Sequence, residues 1–171
     1  MLKILIVDDE PYICELIHKL IDWEELELTS LGSSQNGIDA MEIILRQKPD
    51  IVITDIQMPG MTGLEMIEKA SQQKLQTKFI VVSGYREFEY AQQAIRFGVE
   101  DYLLKPISKT DLNLVLKRLL QENGAVLERR ASENAMRNEL RQKTVILRGN
   151  ELRQTLTDYS RAFHNELFSF K

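Results

Sequence analysis

Short apolar runs, unbroken by polar positions, recur through the chain up to residue 104: Ile4-Leu5-Ile6-Val7, Ile51-Val52-Ile53, Phe79-Ile80-Val81-Val82 and Tyr102-Leu103-Leu104. Runs this short and β-rich, without the alternation of a half-exposed strand, belong to a parallel sheet covered on both faces. Between them lie stretches with helical spacing. The pattern predicts strands over 3–7, 28–32, 51–54, 79–83 and 102–104 and helices over 11–21, 38–47, 64–73 and 88–97, with a last helix opening near Thr110. Five βα units follow, and with them an α/β fold. Local chemistry supports several breaks: Pro11 suits a first helical turn, Gly98 ends a helix after Phe97, and Ser108 or Thr110 caps the last one.

Beyond Asn123-Gly124 the pattern changes. Residues 127–156 are rich in Arg, Glu, Gln and Asn, with sparse apolar residues at Leu140, Val145, Leu147, Leu152 and Leu156. A seven-residue series from Leu112 through Leu119, Val126, Leu140 and Leu147 leaves Glu133 in an apolar slot. The segment reads either as a charged, solvated helix or as one that meets a partner helix. Sparse leucines bury too little to order such a helix alone, so self-association through 110–156 or through the 88–97 face is expected, as a homodimer. Tyr159, Phe163, Leu167, Phe168 and Phe170 make the end too apolar for a free tail.

At 171 residues, 43% hydrophobic and net charge −4, the chain suits one globular domain with an extension. The mild acidity gives no electrostatic support for nucleic-acid binding by this segment. No apolar stretch approaches the roughly 20 residues of a membrane span, and Met1 leads directly into a strand, so a cytoplasmic location without membrane contact is expected. Cys14, the one cysteine, excludes an internal disulfide, and its neighbours Ile13, Leu16 and Ile17 place it on a buried helix face. His18 and His164 have no metal-like spacing around them and read as structural.

Asp8, Asp9, Asp55, Ser83 and Lys105 all sit at or just past the ends of the apolar runs. Open parallel sheets place ligands outside the carboxyl ends of their strands. Three carboxylates, a hydroxyl and an ammonium at one sheet edge accommodate a hard cation and a phosphoryl group together. Mg2+ prefers octahedral oxygen ligands and keeps several waters, so it needs few protein ligands; it also holds crowded carboxylates as anions. A carboxylate so held is a nucleophile toward a phosphoryl donor, giving an aspartyl phosphate. Asp55 is the candidate nucleophile, Lys105 the clamp on the phosphoryl oxygens and Ser83 a hydroxyl donor, with Gly84 leaving space for the donor molecule. Singly, each residue has an ordinary reading: Asp8-Asp9 as a helix cap, Lys105-Pro106 as a turn, Ser83 as a hydroxyl satisfying backbone. Their order along the chain points to a phosphoryl site.

The segments ILIVDDEP, PDIVITDIQMPGMTGLE, VVSGY and DYLLKPI, in that order, resemble the receiver domain of bacterial two-component response regulators over residues 1–122. The resemblance implies a flavodoxin-like, doubly wound, five-stranded parallel sheet in the order 2-1-3-4-5. Residues 123–171 would then be a helical linker or the start of a further region of a longer regulator. It implies that Asp9 and Asp55 ligate Mg2+ with the backbone carbonyl of Gln57, and Asp8 directly or through water. It also implies phosphorylation of Asp55 by a sensor histidine kinase, contact of Lys105 with the phosphoryl group, and a report of its arrival by Ser83. Tyr102 matches the switch aromatic, and the Lys105–Pro106 bond is expected to be cis. No enzymatic activity is implied beyond self-phosphorylation and autodephosphorylation.

More narrowly, IDWEEL and SGYREFEYAQQAIRFGVEDYLLKPI are similar to the YesN/AraC-type transcriptional regulators, whose receivers usually precede a domain with paired helix-turn-helix motifs. Residues 123–171 show no such pair of helices, so DNA contact is expected only through a domain absent from this chain. The leading expectation is a phosphorylation-controlled switch acting on transcription. The alternatives are a stand-alone phosphorelay receiver that passes phosphate to a histidine phosphotransfer partner, and an unphosphorylated interaction module on the same fold.

Overall fold

The computed structural model describes residues 1–84, 88–124, 133, 134 and 136. The chain divides into two units, Met1–Gln121 and Glu122–Lys171. Of the second, Glu133, Asn134 and Met136 are helical and exposed. In the leucine series, Leu112 and Leu119 are buried in the core of the first unit; Val126, Leu140 and Leu147, the apolar end and most of the expected dimerising segment 110–156 lie outside the described residues.

Strands and helices alternate as β1 (Leu2–Val7), α1 (Pro11–Leu20), β2 (Leu28–Ser34), α2 (Gly37–Gln47), β3 (Ile51–Thr54), α3 (Gly63–Gln72), β4 (Lys78–Ser83), α4 (Phe88–Arg96) and β5 (Asp101–Leu104). Helix α5 follows over 109–124. All strand pairs are parallel and the sheet order is β2-β1-β3-β4-β5, the doubly wound arrangement.

Because successive side chains of a strand point to opposite faces, the unbroken apolar runs supply two cores. Ile4 and Ile6 of β1, Ile53 of β3 and Ile80 and Val82 of β4 pack with Cys14 and Ile17 of α1 and Leu112, Leu116 and Leu119 of α5. Leu5 and Val7, Val52 and Val81 face the other way, onto Ala40 and Ile44 of α2, Met66 and Ile67 of α3 and Ala94 of α4. None of Ile4, Leu5, Ile6 and Val7 is more than 1% exposed, which is why β1 carries no polar residue between Lys3 and Asp8.

The helix ends follow the local chemistry. Pro11 occupies the first turn of α1, the Asn36 side chain accepts from the Asp39 N–H at α2, and Thr62 and Glu65 form a reciprocal capping box on α3. Ser108, not Thr110, caps α5 by accepting from the Asp111 N–H at 3.3 Å. Gly98 takes φ +74° after α4.

Two strands differ from expectation. β2 runs on to Ser34 past Gly32, whose φ of +90° accompanies a one-residue register shift against β1 between Ile4 and Ile6. β5 was expected to be covered on both faces, yet Asp101, Tyr102 and Leu103 are half-buried and Leu104 is exposed. It is the edge of the sheet, with a neighbour on one side only.

Candidate functional site

The strand ends deliver the predicted polar residues to one place. Pairing continues one residue past β1 and β3: the Asp8 N–H donates to Ser34 O at 3.1 Å, and the Asp55 N–H to Val7 O at 2.9 Å. The Lys105 N–H likewise donates to Ser83 O at 2.9 Å, and the Lys105–Pro106 peptide is cis. Backbone register thus fixes where these side chains emerge. Asp8, Asp9 and Asp55 each offer a carboxylate oxygen within 4.8 Å of the others. Lys105 Nζ bridges two of them, at 2.8 Å from both Asp8 Oδ2 and Asp55 Oδ2. Of the acids, Asp8 and Asp55 are buried and Asp9 is exposed.

The second oxygens of the buried pair are held by backbone. Asp8 Oδ1 accepts from the Glu10 N–H at 3.0 Å, and Asp55 Oδ1 from the Ile56 N–H at 2.6 Å. Burial pushes the Asp8 carboxyl above its ordinary value, against the lowering effect of its bonds to Lys105 and Glu10. Burial alone would depress the Lys105 ammonium, but its bonds to Asp55 and Asp8 outweigh this and leave its pKa raised, so the charge persists at neutral pH.

Ser83 is fully buried at the end of β4. Tyr102, opposite Val81 in the β4–β5 pair, packs against the core on the α2–α3–α4 side of the sheet, as do Tyr90 and Phe97. Gln57 lines a groove of about 560 Å³ with Asp9, Thr62, Glu65, Tyr90, Gln93 and others. Among the described residues, a side chain at Gly84 would meet nothing within 4 Å. Cys14 lies outside the carboxylate cluster, its thiol donating to Asp8 O at 3.5 Å; burial pushes the thiol's pKa up. The His18 ring lies against Trp23 with centroids 4.8 Å apart. His164 is outside the described residues.

Sequence reasoning missed Gly63. Its N–H donates to Ile56 O at 2.8 Å, and a Cβ there would collide with the carbonyl oxygen of Asp55. The glycine lets α3 begin directly against the residue that carries the central carboxylate. Gly63→Ala should therefore destabilise the domain by about 1–3 kcal/mol through overpacking. Urea unfolding reads this as a lower midpoint at an unchanged m-value.

Comparison with known proteins agrees with this geometry. A family model for the response regulator receiver domain matches residues 4–117. The uncharacterized transcriptional regulatory protein YesN of Bacillus subtilis is 45% identical over 122 residues, 71% of this chain and 33% of that protein. The transcriptional regulatory protein HptR of Staphylococcus aureus is 34% identical over 121 residues, 71% of this chain and 47% of its own length. The chain thus spans between a third and a half of these curated relatives. Among solved structures, the receiver domain of AraT, a response regulator from Geobacillus stearothermophilus, superposes with a TM-score of 0.69 at 37% identity, covering 74% of this chain and 98% of that one. No helix among the described residues is long and apolar enough to cross a membrane. With the match running through all five strands and the acidic residues, serine and lysine standing at their carboxyl ends, the chain belongs to the response regulator receiver domain family of two-component systems.

Proposed function

We propose that this receiver accepts a phosphoryl group on Asp55 from the phosphohistidine of a sensor histidine kinase, and so switches a transcription-regulating effector carried outside this chain. The observation that carries the reading is Lys105 Nζ, set at 2.8 Å from two members of a three-carboxylate cluster at the carboxyl edge of the sheet. An Asp55 oxygen forms a new P–O bond, the P–N bond of the donor breaks, and its electron pair returns to the imidazole nitrogen. The Ile56 N–H fixes the plane of the attacking carboxylate. Lys105 donates to the phosphoryl oxygens, and Ser83 offers them its hydroxyl.

The residues present suit Mg2+. Three hard carboxylate donors lie within 4.8 Å of one another, which meets the needs of a cation that takes few protein ligands and shares phosphate oxygens. Asp9, Asp55 and the Gln57 carbonyl would hold it, with Asp8 bound directly or through water. When bound, the ion neutralises charge on the carboxylates and on the incoming phosphoryl group.

Tyr102 turning toward the space vacated by Ser83 is the switch this reading requires. A one-sided change of state would need about 5.5 kcal/mol of differential binding for a 1:99 to 99:1 reversal. The relatives' designations as transcriptional regulatory proteins support a DNA-directed effector, which a homodimer would suit by addressing paired half-sites. Intact-mass measurement with acetyl phosphate tests the function: one added phosphoryl group when Mg2+ is present and none with the metal chelated. Uptake that ignores chelation would count against it.

Mg2+ alone should stabilise the fold, by about 2.7 kcal/mol at 100 times its Kd. Because the ligands bind as anions, this gain is full at neutral pH and falls on acidification, beginning at a higher pH than for ordinary carboxylates because Asp8 is raised. In metal-free protein the Asp8 contribution has the opposite sign, since its raised folded value adds stability at low pH that is lost as pH rises through it. Thermal melts across pH with and without Mg2+ check both slopes.

A further inference from the structure

Helix α4 is joined to the loop after Asp55 by a side-chain bond: Gln57 Nε2 donates to the Tyr90 hydroxyl at 3.3 Å, across 33 residues of sequence. On the loop side the backbone is fixed to the carboxylate site at the residue before Gln57. The Ile56 N–H donates to Asp55 Oδ1, and Ile56 O accepts from Gly63. The Asp55 carboxylate is thus bonded to the backbone of the residue next to Gln57. On the helix side, Tyr90 packs against the core cluster on this side of the sheet while its hydroxyl accepts from Gln57. Among the described side chains of α4, Ala94 is fully buried, Tyr90 and Ala91 are half-buried and Ile95 is 72% exposed. A side-chain bond to a neighbouring loop adds to what holds such an element in place.

We infer that the Gln57–Tyr90 bond fastens α4 in its resting position to the Asp55 loop, giving the carboxylate site a mechanical link to α4 separate from the Ser83–Tyr102 pair. The purpose of the link rests on the phospho-acceptor reading; its existence does not. Tyr90 acts through Gln57 and is a positioning residue.

Native-state hydrogen exchange of the α4 amides, without metal or phosphodonor, tests the fastening in the wild type, Tyr90→Phe, Gln57→Met and the double variant. Tyr90→Phe keeps the ring and its packing and removes only the hydroxyl. Exchange in α4 should quicken by about 2- to 10-fold in each single variant, at the lower end because the bond is long, with no further gain in the double variant. Two results would overturn the inference: α4 exchange unchanged in Tyr90→Phe, or effects of the two substitutions that simply add. An increase spread evenly over β1, β3 and β4 would also overturn it, since that reports general loss of stability. Because no phosphodonor is present, failure here leaves the phospho-acceptor reading standing, and failure of acetyl phosphate to modify the wild type leaves the fastening standing.

Discussion

Asp55→Asn is expected to take up no phosphoryl group from acetyl phosphate with Mg2+, where the wild type takes up one. The carboxamide nitrogen's lone pair is delocalised and its oxygen carries no full charge, so the side chain is a poor nucleophile toward phosphorus. The substitution is nearly isosteric, and the amide oxygen still accepts from the Ile56 N–H that holds Asp55 Oδ1 at 2.6 Å. The fold should therefore persist. Removing one of three crowded carboxylates is expected to leave stability unchanged or slightly higher, because Asp8 keeps its bond to Lys105 and loses a like-charged neighbour. Intact mass and a urea melt on the same sample separate the two effects. Undiminished uptake by this variant would remove Asp55 from the chemistry.

Lys105→Met should be the most damaging change to the site in the absence of metal. It leaves Asp8, which is fully buried, and Asp55 without the cation that bridges them. Removing one partner of a fully enclosed ion pair costs roughly 3–5 kcal/mol, and this site opens to solvent at Asp9, so about 2–3 kcal/mol is expected at neutral pH. The direction with pH is set by the carboxylates. Lowering the pH neutralises the unpaired acids, so the gap between variant and wild type narrows on acidification. The wild-type Lys105 contribution, from a pKa raised in the folded state, is fully present at neutral pH and lost only as pH climbs through that raised value. Mg2+ should recover part of the loss in the variant by replacing the missing positive charge. A variant as stable as the wild type in metal-free buffer at neutral pH would show that the Lys105 bridge does not hold the cluster together.

β1, β3 and β4 were legible because burial on both faces disfavours polar residues inside a strand, and they are wholly apolar over Ile4–Val7, Ile51–Ile53 and Phe79–Val82. The polar residues of the site were legible for the complementary reason: Asp8 follows its apolar run directly and Asp55 follows one residue after Ile53, where register carries them to the sheet edge. β5 was misjudged in its burial because an apolar run does not reveal whether a strand has one neighbour or two. β2 ran past Gly32 because the strand absorbs an extra residue there, a feature that a Gly-Ser-Ser sequence shares with an ordinary turn. Gly63 escaped notice since its requirement, close approach to the Asp55 carbonyl, is a contact between the first residue of the β3–α3 loop and the first residue of α3. Asn113 escaped for the same kind of reason. Its buried side chain accepts from the Asp22 N–H at 2.9 Å and donates to Leu20 O and Lys109 O, fixing the end of α1 to the start of α5. That role exists only once the two helices lie side by side.

The central claim is that the phosphoryl group resides on Asp55. Treating wild-type protein with acetyl phosphate and Mg2+, then with borohydride, reduces an aspartyl phosphate to homoserine, which tandem mass spectrometry locates. Homoserine at position 55, with Asp8 and Asp9 intact, is the expected result. Aspartate retained at position 55, with the phosphoryl group found on Ser83, a histidine or another aspartate, would contradict the account.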